Sequence, residues 1–195
     1  MVFLYAMNKN ILLTIIEWAI RINVFVKLSI YGLGKIIGGQ FYLKGELPEE
    51  IAKVSLADTT SYNLAWTFFG HSRAYIYFIG ISQLIGALLF LINRTKLIGG
   101  AILIPILLNI IVVDYFFGVA YGAMFSACWY LASVLFVFYL YIEQLEQAIK
   151  SLLKAPTHVI EKRKVWKLVL GIAAMFAVIF MIEYFGIAFF GYEDR

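Results

Sequence analysis

The sequence predicts an all-α protein, a polytopic bundle of transmembrane helices, and three observations carry that prediction. Hydrophobic residues make up 63% of the chain and charged ones only 14%, against about a quarter charged in soluble domains. The mean hydropathy is +0.88, so lipid rather than water is the expected solvent. The apolar residues also fall in runs of about 20, the length an α-helix needs to cross a hydrocarbon core of about 30 Å. A chain of 195 residues has room for five such spans and their connections.

The first apolar stretch, residues 11–43, would be about 50 Å long as a single helix, and Glu17, Arg21, Lys27 and Lys35 interrupt it. The expected span is therefore 22–43. Residues 1–21 before it are read as a cytoplasmic or interfacial helical segment in which Glu17 and Arg21 pair at i, i+4. Residues 44–74 form an external loop, marked by Pro48 and the polar run at 57–63, with a short surface helix over 47–57. Spans over 75–93 and 97–113 follow as an antiparallel hairpin, because Arg94-Thr95-Lys96 permits only a tight turn. A short aromatic connection, 114–122, leads to a fourth span over 123–141. That helix continues in amphipathic form to Leu153 until Pro156 ends it. The four-span membrane core is thus 22–142, followed by a basic cytoplasmic connection over 143–165. A fifth span and a short external tail occupy 166–195, the apolar run itself covering 165–190 with Trp166 and Tyr192 at its boundaries.

Positive charge sets the orientation, since cytoplasmic flanks retain Lys and Arg. With the N-terminus inside, ten of these residues lie on the inner side, Arg94, Lys96 and the run 162–164 among them; Lys44, Lys53, Arg73 and Arg195 lie outside. The chain is expected in the cell membrane with its N-terminus cytoplasmic and its C-terminus external. The N-terminus lacks the basic start and small-residue cleavage site of a signal peptide, so it is expected to be retained. The net charge of +4 does not point to nucleic acid, because the basic residues are not interleaved with aromatics on a polar surface. Cys128 is the single cysteine, which excludes an internal disulfide and a Cys-x-x-Cys exchange pair. It is read as a small buried residue.

Three phrases carry a resemblance: Tyr-Gly-Leu-Gly-Lys-Ile-Ile-Gly-Gly-Gln-Phe at 31–41, Ala-Trp-Thr-Phe-Phe-Gly-His-Ser-Arg-Ala-Tyr at 65–75, and Phe-Ile-Gly-Ile-Ser-Gln-Leu-Ile-Gly-Ala-Leu-Leu at 78–89. Over residues 22–142 the chain resembles the DoxX-like integral membrane proteins. The resemblance implies a four-helix core with a glycine-rich first span before an extracytoplasmic loop. It also implies a short basic turn between the second and third spans, here Arg94-Thr95-Lys96 followed by Leu97-Ile98-Gly99. Some members of that family are associated with quinone-linked sulfur or redox metabolism, and others are accessory or assembly factors. The fifth span and the basic segment before it depart from the four-helix pattern.

Polar groups are costly inside a membrane, so each is a candidate for function or for an internal pair. Under the expected topology Lys35, Gln40, Gln83, Asn109, Asp114, Ser126 and Glu183 fall in the outer half, where a shared pocket is expected. Lys35 and Asp114 make the most economical ion pair, with Glu183 the rival partner. Such a pocket would hold a quinone carbonyl on Lys35, Gln83 or Asn109 between walls of Trp66, Tyr75 and Phe116. The competing reading is that these groups hydrogen-bond neighbouring helices. His71, beside Arg73, is a candidate proton carrier or anion ligand, against a plain helix-capping role. His158 falls on the opposite face, so neither a bis-histidine haem nor a metal cluster is expected. Gly34 and Gly38 form a Gly-x-x-x-Gly step suited to packing within the bundle or to a homodimer. The basic run 162–164 suits anionic lipid or serves as a topology determinant.

These features lead to an auxiliary DoxX-like membrane subunit that binds a lipophilic ligand or a protein partner in its outer-leaflet half. One alternative is a quinone-linked redox component, which lacks an internal redox centre and needs an electron-donating partner. The other is a small transporter with Lys35, Asp114 and Glu183 as coupling groups.

Overall fold

A computed structural model describes residues 9–154 and 165–190 and is all-α over them, with eight helices. In chain order these are α1 (Lys9–Ile37), α2 (Glu49–Ala52), α3 (Ser61–Gly70), α4 (Arg73–Leu91), α5 (Lys96–Phe116), α6 (Tyr121–Leu140), α7 (Ile142–Leu153) and α8 (Val165–Phe190). Four of them, α4, α5, α6 and α8, are long and apolar enough to cross a membrane, which makes this a multi-pass membrane protein. The chain divides into two compact units, Met1–Gln147 and Ala148–Arg195.

In the first unit α4 packs between α1 and α5, α5 between α4 and α6, and α6 returns to touch α1. This antiparallel four-helix bundle has a core of Val24, Leu28, Phe90, Leu103, Leu107 and Val134, each at most 1% exposed. Its outward faces carry Ile85, Leu88, Leu108 and Val112, as expected where the surroundings are hydrocarbon. The backbones of α1 and α4 meet at Gly32 and Gly80. A Cβ on Gly80 would lie 2.7 Å from Ile36 Cγ1 and 3.0 Å from the carbonyl oxygen of Gly32. Pro105 sits inside α5, a position that membrane helices tolerate better than soluble ones.

The first helix ends earlier than the sequence expectation. It runs unbroken from Lys9 to Ile37 and does not reach Leu43. Gly38 then takes φ +91°, its N–H bonds the Lys35 carbonyl at 3.1 Å, and the Gly39 N–H bonds the Gly34 carbonyl at 3.0 Å. That pair of bonds is a Schellman stop, which requires a left-handed residue just past the helix end. Gly38 therefore ends a helix rather than packing against one, and nothing lies within 4 Å of a Cβ placed on Gly34.

The loop over 44–74 holds more helix than expected. Besides the short α2, the segment Ser61–Gly70 forms α3, started by Thr60, whose side chain accepts the Asn63 N–H at 3.2 Å. Ser72 starts α4 in the same way, accepting the Tyr75 N–H at 3.3 Å. Tyr141 separates α6 from α7, so the amphipathic stretch is a helix of its own. Its Ile142, Leu145, Ile149 and Leu152 recur at helical spacing. In the second unit α8 is apolar on every side, interrupted by Lys167 in its first turn and by Glu183. His158, Pro156, the basic run 162–164 and Tyr192 lie outside the described residues.

Candidate functional site

Two buried polar groupings occupy the two ends of the bundle. At one end Glu17, read from sequence as interfacial, is buried on α1 together with Arg21, which is 0% exposed. Glu17 Oε1 accepts hydrogen bonds from Arg21 Nη1 at 3.0 Å and from Lys96 Nζ at 2.9 Å, and Oε2 accepts one from the Tyr141 hydroxyl at 2.8 Å. Arg21 also donates to Asn93 Oδ1 at 2.6 Å, to the Phe90 carbonyl at 2.9 Å and to the Leu91 carbonyl. The last turn of α4 leaves carbonyls with no partner inside the helix, and Arg21 satisfies two of them. The i, i+4 pair is thus present, but as the centre of a network tying α1, α4, α5 and Tyr141 together, with one carboxylate bonded to two cations.

At the opposite end a cavity of about 100 Å³ opens between the helices and is lined by polar side chains from four of them. From α1 come Tyr31 and Lys35, from α4 Gln83, from α5 Asp114, and from α6 Ser126 and Tyr130. Lys35 sits in the last turn of α1 and donates to Gln83 Oε1 at 3.1 Å, while Gln83 Nε2 donates to the Leu28 carbonyl at 2.9 Å. The second bond fixes the amide so that its oxygen faces the ammonium. Asp114 is 7% exposed and near enough to Lys35 for their charges to attract. The expected ion pair nevertheless does not close: among the described residues the four salt bridges lie elsewhere. Tyr31 and Tyr130 tilt together with ring centres 6.5 Å apart, and the Ser126 hydroxyl donates to the Gly122 carbonyl at 2.9 Å.

The segment after α1 and the helix α3 roof this cavity with Gln40 and Trp66. The Tyr42 N–H bonds the Trp66 carbonyl at 3.3 Å. Phe41 meets Trp66 edge to face at 5.6 Å, and Tyr62 stacks on Trp66 at 4.3 Å. Burial, with Tyr42 beside it, pushes the Tyr62 phenol above its usual value. Arg73 and Glu46 join the ends of the loop through an exposed 2.8 Å ion pair.

Of the residues singled out from sequence, the structure brings Lys35, Gln40, Gln83, Asp114, Trp66 and Ser126 to one cavity. Asn109 is exposed on α5 and Phe116 is exposed at its end, both outside that lining. His71 and Tyr75 line a separate shallow depression with Leu56, Leu64 and Phe68, and His71 occupies the C-cap of α3. Glu183 belongs to the second unit. Cys128 is exposed rather than buried. Sequence reasoning missed Tyr31 and Tyr130, which are two of thirteen tyrosines. Their helical offsets from Lys35 and Ser126, four residues each, place them on those residues' faces and were the available signal. Among the described residues no three His, Cys, Asp or Glu side chains gather at metal-binding distance.

The chain is similar to the uncharacterised protein YwoB of Bacillus subtilis (strain 168), with 41% identity over 99 residues. That match covers 51% of this chain and 60% of the relative, so it spans less than two thirds of the relative's length. No family model matches the chain, and no solved structure does.

Proposed function

We propose that this chain is an auxiliary membrane subunit of the DoxX-like kind that holds the polar head of a lipophilic ligand in the cavity between Lys35, Gln83 and Asp114. The observation supporting it is a buried cavity in which two opposite charges converge without pairing, an arrangement too costly in hydrocarbon to serve packing alone. In this reading α1 is a fifth span, since its stretch from Arg21 to Ile37 is about 25 Å long and lies against α4. The Arg94–Lys96 turn is cytoplasmic, which puts the cavity in the outer-leaflet half and the loop that roofs it outside. A ligand tail then lies among the apolar outer faces while its head reaches Lys35. Native mass spectrometry of the full chain released from lipid nanodiscs tests this reading. A lipophilic molecule retained by the parent and lost from Lys35→Met, with thermal stability kept, is the expected result. An empty parent protein, or equal retention by the variant, removes it.

A quinone-linked role is the second reading. Tyr31, Tyr130 and Trp66 give the cavity aromatic walls, and the Lys35 ammonium is a donor for a carbonyl. The volume of about 100 Å³ is below the roughly 150 Å³ that accepts one benzene ring, so a quinone would have to lift the Trp66 roof. Recovery of a bound quinone, or of a redox protein with the purified chain, would select this reading.

A further inference from the structure

The cavity carries no net formal charge when Lys35 and Asp114 are both ionised, and that restricts what fits it. Lys35 uses one ammonium proton on Gln83 Oε1, leaving two donors for an incoming group. Asp114, 7% exposed, forms no side-chain hydrogen bond or ion pair among the described residues, and an ionised carboxylate is acceptor-only. Tyr31, Tyr130 and Ser126 add hydroxyls that donate or accept as required. A purely anionic ligand would satisfy Lys35 and leave Asp114 buried and repelled; a cation would do the reverse. A neutral ligand without charged ends would leave both unsatisfied. Each case leaves a desolvated charge uncompensated, which is the expensive outcome in a buried site.

We infer that the cavity binds a small zwitterionic group, its ammonium on Asp114 and its oxyanion on Lys35, an assignment that rests on the cavity being the ligand site. Two-thirds of a benzene-sized cavity accommodates about four or five non-hydrogen atoms, the scale of an ammonium and an oxyanion a few bonds apart. Two sources carry that chemistry: a free small amino acid entering from outside, which matches that size, and the ethanolamine headgroup of a phospholipid entering from the outer leaflet, which is larger and would leave part of its phosphate at the cavity mouth. Gln83 acts as a positioning residue, holding Lys35 to one side so that the ammonium does not collapse onto Asp114.

Calorimetry on the full chain in nanodiscs of phosphatidylglycerol alone separates the charges, with glycine compared against acetate and methylammonium as its single-charge halves. A second set of nanodiscs containing phosphatidylethanolamine, read by native mass spectrometry, reports lipid held per chain. The zwitterion, as glycine or as retained phosphatidylethanolamine, is expected to bind about tenfold or more tighter than either half, equivalent to about 1.4 kcal/mol. Asp114→Asn should remove that advantage, and acetate, no longer repelled by the carboxylate, should bind the variant more tightly than the parent. Glycine binding identifies the free source, and retained phosphatidylethanolamine that glycine does not displace identifies the lipid. Acetate or a neutral ligand binding as tightly as the zwitterion overturns the inference while the cavity stands as a ligand site. No binding in any arm overturns both. The comparison of halves on the parent protein decides the matter even where Asp114→Asn does not fold.

Discussion

Glu17 and Asp114 are both carboxylates buried in the bundle with the same exposure of 7%, yet their surroundings assign them opposite work. Glu17 is bonded on both oxygens by Arg21, Lys96 and Tyr141, so removing it strands two cations. Loss of one member of a buried ion network costs about 3–5 kcal/mol. Glu17→Ala should therefore lower the thermal midpoint of the nanodisc-embedded protein steeply, and Glu17→Gln should fall less because its amide still accepts from one cation. A melt of Glu17→Ala that overlays the parent would mean that the network carries no stability. The exposed Lys53–Glu49 pair, 75% and 88% accessible, is the internal control: Lys53→Ala should leave the melt unchanged, because solvated pairs contribute little. Asp114→Asn strands nothing already bonded, so it should retain the parent's stability more closely than Glu17→Ala does.

At the level of elements, α4, α5, α6 and α8 were legible because a bilayer imposes its constraint locally: about 20 apolar residues must be helical and must continue. The end of α1 was not legible, because Gly34-x-x-x-Gly38 reads equally as a packing step and as a helix stop. Only the bonds to the Gly34 and Lys35 carbonyls separate the two. Gly38→Ala forces a side chain into a left-handed backbone and should cost about 1–2 kcal/mol, whereas Gly34→Ala, with open space around it, should be neutral or slightly stabilising. Gly80→Ala is the complementary case. Its Cβ would press on Ile36 and the Gly32 carbonyl, and overpacking of this kind typically costs about 1–3 kcal/mol. Denaturant or thermal melts of the three variants rank them, and a destabilised Gly34→Ala beside an unaffected Gly80→Ala would contradict the α1–α4 crossing. The cavity was half legible for a related reason. Lys35, Gln83 and Asp114 stand out as polar groups in apolar runs, but Tyr31 and Tyr130 are two of thirteen tyrosines and carry no mark of their own. What distinguishes them is depth within the folded bundle.

Across the whole bundle, one end is tied shut by charges bonded to one another and the other is left with charges apart, a division of labour whose meaning depends on which end faces the cytoplasm. In the proposed orientation, argued from the excess of Lys and Arg on the Arg94–Lys96 side, the closed end lies inside, so the cavity and its Trp66 roof should face outward. That orientation makes a prediction independent of any ligand. Cys128 is the single thiol, so Cys128→Ser provides a background in which one introduced thiol reports one location. Lys53→Cys, exposed in the loop between α2 and α3, should react with a membrane-impermeant maleimide in intact cells. Gln144→Cys, on the exposed side of α7, should react only after the membrane is opened. The reverse pattern would turn the bundle over, place the cavity against the inner leaflet and deny it any ligand arriving from outside. Labelling at both positions in intact cells would show the two faces of the bundle to be on one side of the membrane, which an odd number of spans between them forbids. Because α4, α5 and α6 are the three membrane-length helices between residues 53 and 144, this pair of thiols tests the spans of the bundle and its direction together.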